Sequence, residues 1–291
     1  MEFKTLNNGV KMPKLGYGVY QTPPEQTEGC VLDALEVGYR LIDTAQAYDN
    51  EAEVGSAIEK SGVDRADVFV TSKIWVSNMN YERAKASIDE SIEHFGGYID
   101  LMLLHQAMGD YPGAYRAMEE AYDEGKLKAI GLSNFYPARL IDICALARIK
   151  PAVNQIETNP FLQEDKAHEN MEALGVAHEA WAPFAEGQND IFNNPVLAEI
   201  GQKYGKTAGQ VILRALLQKD IIVIPKTVHK DRMVEYFNVF DFALTDEDMA
   251  QFATLNDPSE PRIFDHHDTG VISWLLNDLV RNDQLKGEAL Y

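Results

Sequence analysis

The chain has 291 residues, of which 45% are hydrophobic and 25% are charged, the composition of a folded protein that can bury a large core. Its 46 acidic and 26 basic residues give a net charge of −20, which opposes binding to nucleic acid or to an anionic membrane surface. No apolar run approaches the roughly 20 residues of a membrane-spanning helix, and two cysteines are too few for a disulfide framework or a cysteine zinc site.

The predicted elements begin after an N-terminal stretch without a signal-peptide pattern, from which we expect a cytoplasmic protein. A β-hairpin is predicted over residues 3–11, with Asn8-Gly9 as its turn. After it, short apolar runs rich in β-branched residues alternate with amphipathic stretches of helical period, and Thr245 is expected to begin a late helix. Eight of the apolar runs are predicted to be strands, at residues 14–17, 41–43, 69–73, 99–104, 129–132, 153–157, 176–181 and 221–224.

The number of strand–helix units decides between two α/β architectures. An open doubly wound sheet usually has fewer strands, whereas a closed (β/α)8 TIM barrel has eight. We therefore predict one (β/α)8 barrel domain over residues 1–291, with an N-terminal β-hairpin and a C-terminal tail near the active site. In such a barrel, functional residues lie at the carboxyl ends of the strands and in the loops that follow them.

Three local patterns resemble other kinds of site and are set aside. Gly16-Tyr17-Gly18 begins like a dinucleotide-binding fingerprint, but the third glycine and an immediate helix are missing. The adjacent His266-His267-Asp268 would not converge on one ion without further ligands, so we expect no metal. Two Tyr-x-x-x-Lys pairs have the spacing used by short-chain dehydrogenases without the accompanying glycine-rich loop, and we expect ordinary helix faces at Tyr81 with Lys85 and at Tyr122 with Lys126.

Four proton-bearing residues stand where a barrel places its chemistry. Asp43 ends the second predicted strand, Tyr48 follows in the loop, Lys73 ends the third strand and His105 ends the fourth. Because burying an unpaired ammonium is costly, we predict an ion pair between Lys73 and Asp43, which lie on neighbouring strands. Each residue alone is typical of a packed core, but together they indicate a site that delivers a proton to a carbonyl oxygen.

The predicted chemistry depends on the pKa of Tyr48. Free tyrosine has a pKa near 10, and lowering it by roughly three units requires about 4 kcal/mol of preference for the phenolate. One ammonium about 4 Å away supplies about 4 kcal/mol at an effective dielectric constant near 20. We therefore expect Lys73 to lower the pKa of Tyr48, with Asp43 holding Lys73 in place and His105 orienting the carbonyl. No nucleophile stands with its base, so acyl transfer is not supported.

Five sequence blocks share the pattern of one known family, at residues 12–18, 38–45 together with Tyr48, 131–135, 151–155 and 224–226. They extend over nearly the whole chain and resemble the aldo-keto reductase superfamily, in particular bacterial members related to diketogluconate and glyoxal reductases. The resemblance implies a (β/α)8 barrel, NADPH as cofactor without a metal, and reduction of an aldehyde or ketone to the alcohol.

The resemblance also implies a role for each matching residue. Tyr48 is the implied proton donor, tuned by Asp43 and Lys73, and His105 positions the carbonyl. The implied contacts to the nicotinamide are hydrogen bonds to its carboxamide and stacking on its ring, from Ser133, Asn134, Gln155 and Trp181. The other implied cofactor contacts, in addition to Asp43, are Gly18, Val19, Ala182, Pro183, Phe184, Lys226, Thr227, Val228, Arg232 and Glu235.

The chain departs from the family pattern in three places. The segment 181–184 reads Trp-Ala-Pro-Phe where Tyr-Ser-Pro-Leu is usual, which removes a hydroxyl near the pyrophosphate. Tyr236 replaces an asparagine that commonly contacts adenine, and Gln106-Ala107 replaces a Trp-Pro that would supply an aromatic substrate wall. We expect the substrate to be bound by Tyr20, Tyr48, Trp75, His105 and Gln106, with Met108 and the tail at residues 264–267 nearby.

The leading hypothesis is an NADPH-dependent reductase of small aldehydes, ketoaldehydes or keto sugars, expected to be monomeric and without nucleic-acid or membrane partners. NADPH is favoured over NADH because residues 226–232, after the last strand, carry three basic residues and one acid where barrels often bind phosphate. The alternatives are a non-catalytic cofactor-binding or structural protein on this fold and a barrel hydrolase. The hydrolase would need facing carboxylates or clustered metal ligands at the strand ends.

Overall fold

A two-stranded hairpin opens the computed structural model, which describes residues 1–257, 259 and 261–285. Strands β1 (Phe3–Thr5) and β2 (Lys11–Pro13) pair antiparallel, and across the turn Leu6 N donates to Val10 O at 2.8 Å. Gly9 supplies the φ of +87° that the turn requires, so the predicted hairpin and turn are confirmed. β2 continues beyond the predicted end of the hairpin.

Eight parallel strands form the main sheet, and each pairs with its neighbours in chain order. The two edges of this sheet meet, because Gly16 N donates to Val223 O at 2.8 Å and Val223 N donates to Lys14 O at 2.9 Å. The sheet therefore closes into the predicted (β/α)8 barrel. Its strands are β3 (Tyr17–Gly18), β4 (Leu41–Asp43), β5 (Phe69–Ile74), β6 (Leu101–Leu104), β7 (Ile130–Ser133), β8 (Val153–Glu157), β9 (Ala177–Trp181) and β10 (Ile222–Val223).

The barrel closure explains the two glycines that resemble a dinucleotide fingerprint. A Cβ on Gly16 would lie 2.5 Å from Leu41 Cγ, and one on Gly18 would lie 3.2 Å from Ile224 O. Both positions favour glycine, because a Cβ would collide with the Leu41 side chain at Gly16 and press on the backbone that follows β10 at Gly18. The strand predicted at residues 14–17 is shorter and later than expected: it is β3, Tyr17–Gly18, preceded by a single bridge between Leu15 and Val223.

The helices surround the barrel, and α10 begins at the predicted cap, Thr245, whose side chain accepts from Asp248 N. None of the helices in the described ranges is both long and apolar enough to cross a membrane. They are α1 (Pro24–Val37), α2 (Glu51–Lys60), α3 (Tyr81–His94), α4 (Tyr111–Asp123), α5 (Pro137–Leu146), α6 (Asp165–Leu174), α7 (Pro195–Tyr204), α8 (Ala208–Gln218), α9 (Lys230–Phe237), α10 (Asp246–Ala253) and α11 (Thr269–Leu285).

Alternate side chains of each strand point into the barrel. Along the strands, these interior side chains change from apolar near the hairpin to polar near the carboxyl ends. Near the hairpin, Leu6 and Met12 pack into an apolar interior with Leu41, Leu101, Val153 and Ile222. Nearer the carboxyl ends the interior carries buried polar groups, among them Asp43, Lys73, Gln155 and Glu179. This polar layer supports the site described next.

Candidate active site

Lys73 and Asp43 form a buried ion pair inside the barrel, as predicted. Lys73 Nζ lies 2.6 Å from Asp43 Oδ1, and the two side chains are 0% and 3% exposed. The ammonium also donates to Thr44 O at 2.8 Å and to Tyr48 Oη at 3.4 Å, so each of its three hydrogens has an acceptor. Burial opposes the charge, but Asp43 and Tyr48 outweigh it and the pKa of Lys73 is raised. Lys73 is therefore a fixed cation beside Tyr48.

Tyr48 ends a short 3-10 turn, Gln46–Tyr48, that follows β4. The expectation that Lys73 lowers the pKa of Tyr48 below its ordinary value is wrong. Burial raises the pKa of Tyr48 to about 12, and the attraction of Lys73 offsets only part of this rise. Sequence reasoning counted the ammonium alone and omitted both the desolvation of the phenolate and the repulsion from Asp43. Tyr48 therefore keeps its proton at neutral pH, which is the state that a proton donor needs.

His105 follows β6 and lies edge-on to two aromatic rings. Its ring centroid is 5.7 Å from that of Tyr48 and 4.8 Å from that of Trp75. Burial and repulsion from Lys73 hold the pKa of His105 well below its usual range, so the imidazole is neutral. Its Nδ1 is buried and meets no hydrogen-bond partner in the described ranges. A neutral imidazole carries one N–H, which His105 can offer to a ligand oxygen beside Tyr48.

The Asn134 side chain forms hydrogen bonds to three other residues of the site, and the backbone of this residue lies in the left-handed region at φ +63°. Its Nδ2 donates to His105 O at 3.0 Å and to Ser133 Oγ at 3.2 Å. Its Oδ1 accepts from Trp181 Nε1 at 2.9 Å, which fixes the indole ring. The bonds of this side chain position Trp181 and His105, so a contact from Asn134 to a cofactor remains a prediction.

Ser133 and Gln155 lie side by side in the register of β7 and β8. Gln155 Nε2 donates to Asp43 Oδ2 at 2.9 Å and to Glu179 Oε2 at 3.0 Å, which uses both hydrogens of the amide. Within the described part of the chain, no group donates to Gln155 Oε1 and the Ser133 hydroxyl donates to no acceptor. The Ser133 hydroxyl can therefore donate a hydrogen bond and Gln155 Oε1 beside it can accept one.

The segment expected at the adenosine end of the cofactor follows β10 and enters α9. Lys226, Val228 and Arg232 are exposed, whereas Thr227 is buried and its carbonyl accepts from Tyr17 Oη at 2.6 Å. Lys230 is engaged by acids of α1, at 2.8 Å from Asp33 and 2.7 Å from Glu36. Of the three basic residues expected to bind phosphate, Lys226 and Arg232 are therefore the two without a carboxylate partner in the described ranges.

Other expected cofactor residues are partly committed to packing. Phe184 is buried with its ring centroid 4.7 Å from that of Tyr236, so these two departures from the family pattern pack against each other. Glu235 Oε1 accepts from Thr207 Oγ1 at 2.6 Å. Among the remaining residues, Val19 is fully buried, Ala182 adopts φ +48° and Pro183 is buried.

The expected substrate residues lie near Tyr48 and His105. Tyr20 is half exposed and its ring centroid lies 5.1 Å from that of Tyr48. Gln106 is buried, and its Oε1 lies 2.7 Å from Nε2 of His266 in the tail. The tail also reaches the wall near Trp75, where Met108 packs with Val76, Leu275, Phe264, Ile272 and Leu276. The predicted placement of the C-terminal tail near the site is confirmed.

Sequence reasoning missed two buried carboxyls of the barrel interior. Glu179 is 0% exposed, and Glu157, which accepts from Ile263 N and so anchors the tail, is 1% exposed. Burial raises the pKa of Glu179 to about 8 and that of Glu157 to about 7. Strand alternation could have found both, because Gln155, Glu157, Glu179 and Trp181 occupy alternate positions of β8 and β9.

The patterns set aside earlier lie away from this site or have other roles. Tyr81 and Lys85 both contact Glu120 across α3 and α4, and Lys126 pairs with Asp89 at 2.7 Å. Burial lowers the pKa of His266 to about 4, and its contact is Gln106. In the part of the chain that the structure describes, no three His, Cys, Asp or Glu side chains are arranged to hold a metal ion.

Comparison with known proteins assigns the chain to a family. Residues 8–257 match the Aldo/keto reductase family. The chain belongs to this family. It is 41% identical over 266 residues to the morphine 6-dehydrogenase of Pseudomonas putida, covering 86% of this chain and 90% of the relative. It is also 41% identical over 255 residues to the glyoxal reductase of Bacillus subtilis, covering 86% of this chain and 91% of the relative.

A solved structure agrees with this assignment to the aldo/keto reductases. An aldo-keto reductase crystallised in complex with NADPH matches with a TM-score of 0.84 and 33% identity, covering 88% of each chain. This aldo/keto reductase is therefore a carbonyl-reducing oxidoreductase of a family that generally uses a nicotinamide cofactor.

Proposed function

We propose that the chain reduces small aldehydes, ketoaldehydes or keto sugars to alcohols with NADPH, and that Tyr48 donates the proton. The observation that carries this proposal is the arrangement of side chains at the carboxyl ends of the barrel strands. A buried Lys73–Asp43 pair contacts a protonated Tyr48, and a neutral His105 lies beside it. This arrangement can deliver a proton and a second hydrogen bond to one carbonyl oxygen.

The residues at the opening fit a nicotinamide in their chemistry. The Ser133 hydroxyl and Gln155 Oε1 offer a donor beside an acceptor, which is complementary to a primary carboxamide. Trp181 is partly exposed, and its bond to Asn134 fixes the ring for stacking. At the other end, Arg232 lies in the first turn of α9, where helix N-terminal N–H groups favour a phosphate. A guanidinium there can grip a 2′-phosphate through two hydrogen bonds.

The chemical step follows from these contacts. When bound, the nicotinamide cofactor supplies a hydride to the carbonyl carbon. Tyr48 Oη transfers its proton to the carbonyl oxygen, so that the product is the neutral alcohol and Tyr48 is left as a phenolate. Lys73 Nζ, 3.4 Å away, stabilises that phenolate, and Asp43 keeps the ammonium in place. The His105 N–H donates to the same carbonyl oxygen and orients it.

The substrate class rests on the wall residues and on a named relative. Gln106 places an amide where an aromatic is usual in the family, and His266 holds that amide through its Oε1. The amide N–H groups of Gln106 can then donate to a second oxygen of the substrate. The glyoxal reductase of Bacillus subtilis, 41% identical, supports a substrate with adjacent oxygen functions.

The test is the loss of absorbance at 340 nm when the protein is given NADPH with phenylglyoxal, methylglyoxal, diketogluconate and simple aldehydes. We expect turnover with at least one dicarbonyl. Tyr48→Phe should bind NADPH as the wild type does and lose at least about 100-fold in kcat, because positioned acid catalysis contributes 10²–10⁴-fold.

Tyr122→Phe is the matched control, since it removes the same hydroxyl from a tyrosine on α4, and it should keep wild-type kcat. If Tyr48→Phe retains more than about a tenth of the turnover, the proton-donor role is wrong. If the wild type binds NADPH but reduces none of these carbonyls, the non-catalytic alternative is favoured.

A further inference from the structure

Glu179 is a carboxyl inside the barrel that the proposed chemistry leaves without a role. It lies on β9 in register with Gln155 of β8 and Ile222 of β10, and its side chain is fully buried. Trp181 lies two residues further along the same strand on the same face, about 7 Å away at the rise of a strand. Glu179 therefore lies one interior layer below the indole expected to stack on the nicotinamide.

One amide links Glu179 to the Lys73–Asp43 pair. Gln155 Nε2 donates to Asp43 Oδ2 at 2.9 Å and to Glu179 Oε2 at 3.0 Å, across the barrel interior. The other oxygen, Glu179 Oε1, is buried and contacts no hydrogen-bonding group within the residues described. Burying a carboxylate with half of its acceptors unpaired is costly, so the protonated form is favoured in the free protein.

The charges around Glu179 balance only when it is neutral. Lys73 compensates Asp43, and among the residues that the structure describes these two are the charged groups that act on Glu179, from β5 and β4. Burial, with repulsion from Asp43, raises the pKa of Glu179 to about 8. In the same range Lys73 keeps its proton, Tyr48 keeps its own up to about pH 12 and His105 stays neutral. Glu179 is thus the member of this group that exchanges a proton near neutral pH.

We propose that Glu179 is a positioning residue that couples proton binding to the oxidation state of the nicotinamide, its carboxylate favouring the oxidised cofactor and its neutral acid the reduced one. The inference rests on the proposed function. An oxidised nicotinamide ring carries a positive charge and a reduced ring is neutral, so a carboxylate one layer below interacts differently with the two. At a separation of roughly 12 Å, one layer plus the stacked indole, and an effective dielectric constant near 20, this difference amounts to a change on the order of tenfold in relative affinity.

The experiment measures the dissociation constants of NADP⁺ and NADPH by fluorescence quenching between about pH 6 and pH 9. The 2′-phosphate titrates equally in both ligands, so the ratio of Kd for NADPH to Kd for NADP⁺ isolates groups that sense the ring charge. In the wild type we expect this ratio to rise about tenfold as Glu179 loses its proton.

Glu179→Gln should remove the part of the slope that belongs to Glu179, because the amide keeps an acceptor for Gln155 but cannot ionise. Glu157→Gln is tested separately, because Glu157 lies opposite Trp181 in the register of β8 and β9 and burial raises its pKa to about 7, so this carboxyl titrates in the same range. In Glu157→Gln the slope due to Glu179 should remain, and in the variant that carries both substitutions the ratio should not change with pH. A second readout is proton release into a weakly buffered solution near pH 7.5, expected when NADP⁺ binds the wild type and absent when NADPH binds.

Each outcome addresses one proposal. Binding of both cofactors with a ratio that is flat in the wild type, or equally sloped in Glu179→Gln, overturns the role of Glu179 and leaves the reductase proposal standing. If Glu179→Gln does not fold, the absence of proton release from the wild type overturns the role by itself. Failure of the wild type to bind either cofactor overturns the proposed function, and this inference falls with it.

Discussion

The buried ammonium of Lys73 joins stability and chemistry in one residue. Its three hydrogens bond Asp43, Thr44 O and Tyr48 inside a fully buried environment. A charge left without its partner in such a place costs about 3–5 kcal/mol. The same pair would stabilise the phenolate left by proton transfer, so substitutions should separate the two roles.

Lys73→Met should lower kcat at least about 100-fold and reduce the free energy of unfolding by about 3–5 kcal/mol, because Asp43 is left as an unpaired buried charge. The double variant Lys73→Met with Asp43→Asn should regain much of that stability, since both charges are gone. Activity should not return. Thermal or denaturant unfolding measures the first effect and NADPH-dependent turnover the second. Recovery of turnover in the double variant would contradict a role for Lys73 in the chemistry.

Residue identities at the strand ends could be predicted from the sequence, but their protonation could not. The Lys73–Asp43 pair was expected because two opposite charges ended neighbouring strands. The direction of the pKa shift of Tyr48 was not, because it depends on how completely the fold removes water from the phenolate. Strand alternation places Glu179 inside the barrel, but its link to Asp43 through Gln155 could not be predicted, because that link depends on which strands face each other across the closed barrel.

At the scale of elements, the start of α9 determines the expected preference for NADPH. Arg232 is exposed in the first turn of this helix, whereas Lys230 of the same turn pairs with Asp33 and Glu36 of α1. From the sequence alone, Lys230 and Arg232 are equivalent candidates to bind the phosphate, because both lie in the same basic segment. Their difference comes from α1, which lies almost two hundred residues earlier in the chain and packs beside α9.

Arg232→Ala should raise the KM for NADPH by one to two orders of magnitude, roughly 1.4–2.8 kcal/mol, and change kcat little. The KM for NADH should change much less, because NADH lacks the 2′-phosphate. Lys230→Ala removes the same charge from the same turn and is the control, with little expected effect on either cofactor. Steady-state kinetics with both cofactors decide this. An equal rise in the KM for NADH and the KM for NADPH in Arg232→Ala would show that Arg232 does not recognise the 2′-phosphate.

The tail contributes to the site through single side-chain contacts. Ile263 N bonds Glu157, and His266 Nε2 bonds Gln106 Oε1 at 2.7 Å. From the sequence we expected the tail at residues 264–267 to lie near the substrate, and His266 does contact Gln106. The sequence could not predict which wall residue the tail holds, because that depends on the path of the chain after α10.

His266→Ala should raise the KM for the carbonyl substrate about three- to tenfold, since one hydrogen bond that orients Gln106 is worth about 0.5–1.5 kcal/mol. The KM for NADPH serves as the internal control and should not change, because the contact lies on the substrate side. An equal rise in both Michaelis constants would indicate that the substitution disturbs the whole opening rather than Gln106.

At the scale of the whole molecule, a net charge of −20 surrounds a site expected to bind an anionic cofactor. The distant acids act over lengths comparable to the Debye length, which is about 30 Å at 0.01 M salt and about 10 Å at 0.1 M. Contacts from Arg232 act at a few ångströms. Above about 0.1 M salt the distant repulsion is therefore largely screened, and further salt acts mainly on the local contact.

Raising salt from about 0.1 M to about 0.5 M should increase the ratio of Kd for NADPH to Kd for NADH in the wild type. The pyrophosphate is common to both cofactors, so the ratio reports the 2′-phosphate alone. In Arg232→Ala the ratio should start higher and depend less on salt, because the charge that salt screens has been removed. Titration of both cofactors into both proteins at several salt concentrations measures this. A ratio that does not change with salt in the wild type would mean that the 2′-phosphate meets no cation.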